Sequence, residues 1–123
     1  MTALRGMHVV KGKVTMSSAL MIGLVLRSGL ADYFTIVETN AELATYETFR
    51  KGGPEGGTAT RMTFTIAQAD KMGLLAPSRS GEPTQWQKDP ENMLRHRCAA
   101  RLARVVYPDV VANVYTPEEL EDP

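Results

Sequence analysis

Arginine recurs at Arg97, Arg101 and Arg104, the three- and four-residue spacing that brings side chains to one face of a helix. A guanidinium is a planar fork of donors that grips phosphate oxygens. Trp86 lies just upstream, and an indole face can stack on an unpaired base. Together they have the chemistry to hold single-stranded nucleic acid. An ordinary amphipathic helix with its cations in water shows the same pattern. Trp86 also has two readings, a surface for a base or a hydrophobic lid ahead of a helix cap. Further cations stand where turns and strand ends are expected: Lys11 and Lys13 at a hairpin tip, Arg50 and Lys51 at a strand end, Arg61 at a strand start. The candidate DNA-binding set is Lys11, Lys13, Arg50, Lys51, Trp86, Arg97, Arg101 and Arg104. A groove shared by helix and hairpin would gather them; a solvated surface is the alternative for each one singly.

Other chemistries find less support. His8, His96 and Cys98 lack recognised metal-ligand spacing, and His96 and Cys98, two apart on a helix, diverge. The lone Cys98 excludes an internal disulfide and fits a reducing compartment. Ser17 and Ser18 suit a helix cap better than a nucleophile. The run Lys51-Gly-Gly-Pro-Glu-Gly-Gly-Thr58 lacks P-loop spacing and falls between strands rather than before a helix. No catalytic residue, metal site or cofactor is expected, and the chain reads as a binding protein rather than an enzyme.

The elements that must position these residues follow from periodicity. Met7 to Met16 reads as a hairpin around Lys11-Gly12-Lys13. Ser17 and Ser18 then cap a helix ending at Gly29, apolar almost all round and therefore expected to be buried. Tyr33–Thr39, Ala44–Arg50 and Arg61–Thr65 are strand candidates, with a flexible loop over 51–58. Thr65 and Gln68 form a capping box for a helix stopped by Gly73. Residues 76–88 read as a polar loop. Asp89, Pro90 and Glu91 start a long helix that Pro108 ends, with Leu94, Cys98, Leu102 and Val105 as its apolar stripe. The expected class is α+β: an antiparallel sheet, hairpin plus three-stranded meander, with packed helices in the order β-β-α-β-β-β-α-α. Residues 1–115 read as a single domain and 116–123 as an acidic C-terminal tail.

Charge is zero overall but unevenly spread. Residues 1–104 hold all 14 Lys and Arg against 9 acids, and residues 105–123 hold 5 acids and no base. The tail can fold across a basic face or remain solvated. The apolar stretch Ala19–Leu26 is too short to span a bilayer, and the start of the chain lacks the apolar run of a signal peptide. A cytoplasmic protein without membrane contact is expected.

Three blocks look familiar together: ALRGMHVVKGKVTMSSALMIGLVLRSG (3–29), RMTFTIAQADKMGLL (61–75) and WQKDPENMLRHRCAARLARVVYPDVVANVYTPEEL (86–120). They resemble the core of phage RecT-like proteins, the single-strand annealing recombinases. Trp86, Pro90, Met93-Leu94, the spaced arginines, Tyr107-Pro108-Asp109 and Tyr115-Thr116-Pro117-Glu118-Glu119 carry the likeness. It implies an ATP-independent protein of DNA recombination that coats single-stranded DNA, presents bases to a complementary strand and forms a homo-oligomer. It also implies that the basic helix falls on Arg97, Arg101 and Arg104 and the hairpin lysines on Lys11 and Lys13. Family members carry a helical region ahead of the Ala-Leu-Arg-Gly segment, so a truncated form is expected. Small size, zero net charge and an acidic end suit a second reading: a phage protein acting by protein–protein interaction on a host or phage partner, such as an inhibitor of a host nuclease or defence complex.

Overall fold

Short runs rich in Val and Met on either side of residues 11–12 give the first two strands. β1 (Met7–Val10) pairs antiparallel with β2 (Lys13–Met16), Val10 opposite Lys13. The computed structural model describes residues 7–10, 13–53, 55–112 and 114, the first hairpin as backbone. The expected acidic tail, 116–123, lies outside the described residues. Ser17 caps α1 (Ser18–Arg27) by accepting the Leu20 N–H at 3.3 Å, and Gly29, at φ +79°, turns the chain into the sheet.

β3 (Ala31–Thr39), β4 (Leu43–Lys51) and β5 (Gly57–Thr65) form the meander, in spatial order β3-β4-β5. The register puts Ala44 opposite Phe64, Tyr46 opposite Met62 and Thr48 opposite Phe34 and Thr60. Ala44, Tyr46, Thr48, Phe34 and Phe64 on this face are buried. The other face leaves Thr35, Ala59, Arg61 and Thr63 exposed. There the Tyr33 hydroxyl donates to Glu47 at 2.5 Å and Arg61 donates to the same carboxylate at 2.8 and 3.0 Å. The Tyr33 bond first, and the Arg61 bonds after it, hold Glu47 below the usual carboxylate range.

α2 (Ile66–Lys71) begins with the expected Thr65–Gln68 capping box. Then come α3 (Gln85–Lys88), α4 (Pro90–Val106) and α5 (Pro108–Val111). The α+β class and the element order are as expected, with α3 and α5 as additional single turns. α4 lies on β4 and β5 and touches α1, α3 and α5. Leu94, Cys98 and Leu102 are fully buried towards the core. Ala99, Ala100 and Ala103 are buried too, and side chains that small let neighbouring elements approach closely. Tyr107 leaves the end of α4 for the interior, where its hydroxyl meets Thr48 Oγ1 at 2.7 Å. Thr48 donates to the Tyr33 carbonyl, so the Tyr107 hydroxyl is the donor between them.

Four local expectations change. α1 is not buried all round: Ser18, Met21 and Val25 face the core, while Leu20 and Leu26 are exposed. Val105 leaves the apolar stripe and is 63% exposed, because the chain turns inward through Tyr107 instead. Residues 85–88 are helix rather than loop. The 51–58 loop is shorter than expected, since Lys51 pairs with Gly57. Its described tip is tied by Gly52 N–H to the Gly56 carbonyl and Gly56 N–H to the Gly53 carbonyl. A Cβ at Gly57 would overlap the Phe49 ring and lie 2.7 Å from the Arg50 carbonyl oxygen, so this position needs glycine to let the strand continue.

Candidate nucleic-acid interface

α4 carries most of the expected binding residues, and its packing separates them. Arg97 is 5% exposed, in the interior rather than on a wet face. Arg101, one turn on, is exposed; its guanidinium lies 5.0 Å over the Phe64 ring and reaches Met72 Sδ at 3.8 Å. Arg104 is half-buried and donates to the Val111 and Val114 carbonyls. The expected row of three solvent-facing guanidiniums is therefore not formed. The periodicity was legible, but α4 is enclosed by the sheet and three helices, so its arginine face is only partly open.

Trp86 is 6% exposed, with its ring 6.4 Å from Phe64 at 58°. The lid alternative describes it. Thr84 and Gln87 form the capping box that fixes α3 and seats the indole. Trp86 and Arg101 thus both lean on Phe64, one from within and one from the surface.

Arg50 is a clamp. Its two terminal nitrogens each reach Asp109 at 2.8 Å, one also donates to the Val106 carbonyl at 2.6 Å, and the guanidinium sits 5.2 Å over Tyr107. The Arg50 hydrogen bonds hold the Asp109 carboxyl below its ordinary range. Asp109 lies in the first turn of α5, so the clamp joins β4 to the turn after α4.

Beside that clamp a pocket of about 290 Å3 opens between the β4–β5 tip and the end of α4. Arg50, Lys51, Thr58, Thr60, Val105 and Val106 are among its lining residues. Lys51 is exposed, and Arg101 lies one turn before Val105 on α4. The lane beside the clamp thus offers an ammonium, threonine hydroxyls and an apolar valine wall, while the Arg101 guanidinium is directed to Phe64 and Met72. Cations can take phosphates and the apolar wall can take sugar or base edges. Sequence reasoning missed Thr58, Thr60 and Val105, because β5 was started late and Val105 was assigned to the core. Lys13 is placed by its backbone alone, and Lys11 lies outside the described residues.

Groups suited to catalysis are turned inward. Ser18 Oγ lies 2.5 Å from His96 Nδ1, but Ser18 is 4% exposed. Burial pushes the Cys98 thiol up, and its Sγ–H donates to the Met62 carbonyl. Among the described residues no group of three or more His, Cys, Asp or Glu could hold a metal ion, and no helix is long and apolar enough to cross a membrane.

Burial first, then the Arg95 guanidinium, against a smaller opposing pull from Asp89, hold His96 below the usual imidazole range. The unfolded chain therefore takes up this proton more readily. The stabilisation is complete above the ordinary imidazole pKa of about 6.5 and is lost as pH falls through it towards the folded value. The urea midpoint is expected to drop between pH 7.5 and 5.5, and His96→Gln should remove most of that drop. A midpoint equally pH-dependent in the variant would place the effect elsewhere.

No curated protein and no solved structure matches the sequence. A family model described as RecT family matches residues 7–123. With nearly all of its length inside that match, the chain belongs to the RecT family, whose proteins act in DNA recombination by annealing single strands.

Proposed function

We propose that this protein binds single-stranded DNA along the lane from Lys51 to Arg101 and holds it for pairing with a complementary strand, without ATP and as a self-associating protein. The observation that supports the reading is the pocket lined by the exposed Lys51 with Thr58, Thr60 and Val105, with the exposed Arg101 one turn before Val105 on α4, in a chain of the RecT family. Lys51 and Arg101 neutralise phosphates, and Lys11 and Lys13 are assigned to further phosphates from the sequence. Arg50 and Arg104 act indirectly, by fixing the end of α4 and the turn after it. Arg97 and Trp86 serve the interior that supports Arg101.

The test is titration of fluorescent oligonucleotides with Lys51→Ala and Arg101→Ala. Both residues are exposed, so folding should be little changed. Each variant should weaken binding by a similar factor for a thymine homopolymer and for a mixed sequence, since phosphate contacts carry no sequence information. Annealing of complementary oligonucleotides should slow in parallel, and should proceed equally with and without ATP. Unchanged affinity in both variants would remove the lane from the account.

A further inference from the structure

The pocket beside the Arg50 clamp has firmly tied walls. Arg50 holds Asp109 and the Val106 carbonyl together, which pins the end of α4 to β4. On the other side Lys51 pairs with Gly57, and the Gly52–Gly56 and Gly56–Gly53 hydrogen bonds close the tip. The space between them, about 290 Å3, lies near the lower end of the range for small-molecule sites, which are mostly formed in advance of their ligand.

The chemistry of that space is more neutral than its two cations suggest. The Arg50 guanidinium is already matched by the Asp109 carboxylate. Beyond Arg50 and Lys51, the lining side chains are those of Thr58, Thr60, Val105 and Val106. Elsewhere in the sheet the threonine hydroxyls are satisfied internally: Thr45 meets Thr63 at 2.7 Å, and Thr48 donates to the Tyr33 carbonyl. Among the described residues no hydrogen bond engages the hydroxyl of Thr58 or Thr60. Val105 is 63% exposed, an apolar surface beside two open hydroxyls. A phosphate placed inside would exchange its water for valine side chains, at a cost that the committed Arg50 does not offset. A flat, uncharged group with polar edges suits the same space.

We propose that this pocket receives one unstacked nucleobase of the bound single strand. This rests on the strand-binding reading above and adds a base contact to its phosphate contacts. The Val105 and Val106 side chains pack on the base, and the Thr58 and Thr60 hydroxyls meet its edge, the combination by which proteins hold a base taken out of its stack. A hydroxyl both donates and accepts, so it serves a carbonyl or an amino group on the base alike. The pocket therefore holds a base without reading its identity, and the strand is bound whatever its sequence.

The test compares a thymine homopolymer with an abasic deoxyribose-phosphate chain of equal length and charge. The parent should bind the homopolymer more tightly by about fivefold, the low end of what a held base contributes. Val105→Ser, at an exposed position, and Thr58→Val, which keeps the shape of the side chain, should each shrink that ratio, with urea midpoints reporting that both variants are folded. A homopolymer carrying one 4-thiothymine, photo-cross-linked to the parent, should attach within residues 58–60 or 105–106. Equal affinity of the parent for the two strands, still falling with salt, would overturn the base pocket and spare the phosphate contacts. A ratio that survives both substitutions, or cross-links confined to other segments, would overturn the pocket by placing the base contact elsewhere. Binding of neither strand would overturn both.

Discussion

Trp86→Ala should lower the unfolding free energy by about 3–5 kcal/mol and leave the DNA affinity of the folded protein close to the parent value. The indole is 6% exposed and rests on Phe64, itself 1% exposed. α3 is a single turn, so it stays on α4 through what Trp86 buries rather than through its own hydrogen bonds. Removing the ring leaves a cavity beneath Phe64 and frees the turn. Denaturant unfolding gives the first quantity, and oligonucleotide titration well below the midpoint gives the second. If instead the ring stacked on a base, stability would barely change and binding would weaken by about 1–3 kcal/mol. The two outcomes move different observables, so one variant decides between them.

Tyr107→Ala carries an effect of similar size, about 3–5 kcal/mol by analogy with other buried aromatics. The ring is fully buried, 6.4 Å from Phe34, with Arg50 over it. Its hydroxyl reaches Thr48, which stands opposite both Phe34 and Thr60 in the sheet. The side chain therefore ties the turn between α4 and α5 to the middle of the sheet, and it shares Arg50 with Asp109. Tyr107→Phe separates packing from hydrogen bonding. Thr48 keeps its bond to the Tyr33 carbonyl, so the phenylalanine variant should lose only about 1 kcal/mol. Equal losses from the two substitutions would mean that the hydroxyl, not the ring, carries the stabilisation.

Local chemistry was well read from the sequence. The Ser17 cap, the Thr65–Gln68 capping box, the Asp89-Pro90 start of α4 and the strand alternation from Ala44 to Arg50 each depend on a few adjacent residues. The structure shows all of them. The Thr84–Gln87 box that starts α3 was equally local, yet the surrounding prolines and glycine made the segment read as loop. Long-range packing was not legible. Spacing places Arg97, Arg101 and Arg104 on one side of a helix but cannot say how much of that side a neighbouring turn covers. Val105 looks apolar by type, but the inward turn of Tyr107 decides that it faces water. Arg50 and Asp109 lie 59 residues apart, and nothing in either neighbourhood announces the other. For the same reason the pocket, built from two strands and the end of a helix, had no signature in the chain.

The salt dependence of single-strand affinity tests the central claim most directly. Four proposed phosphate contacts, from Lys11, Lys13, Lys51 and Arg101, predict a slope of log affinity against log salt near −3, each contact contributing about −0.7. Combining Lys51→Ala with Arg101→Ala should bring the slope to about half that value. A flat slope for the parent, or an unchanged one for the double variant, would contradict the account.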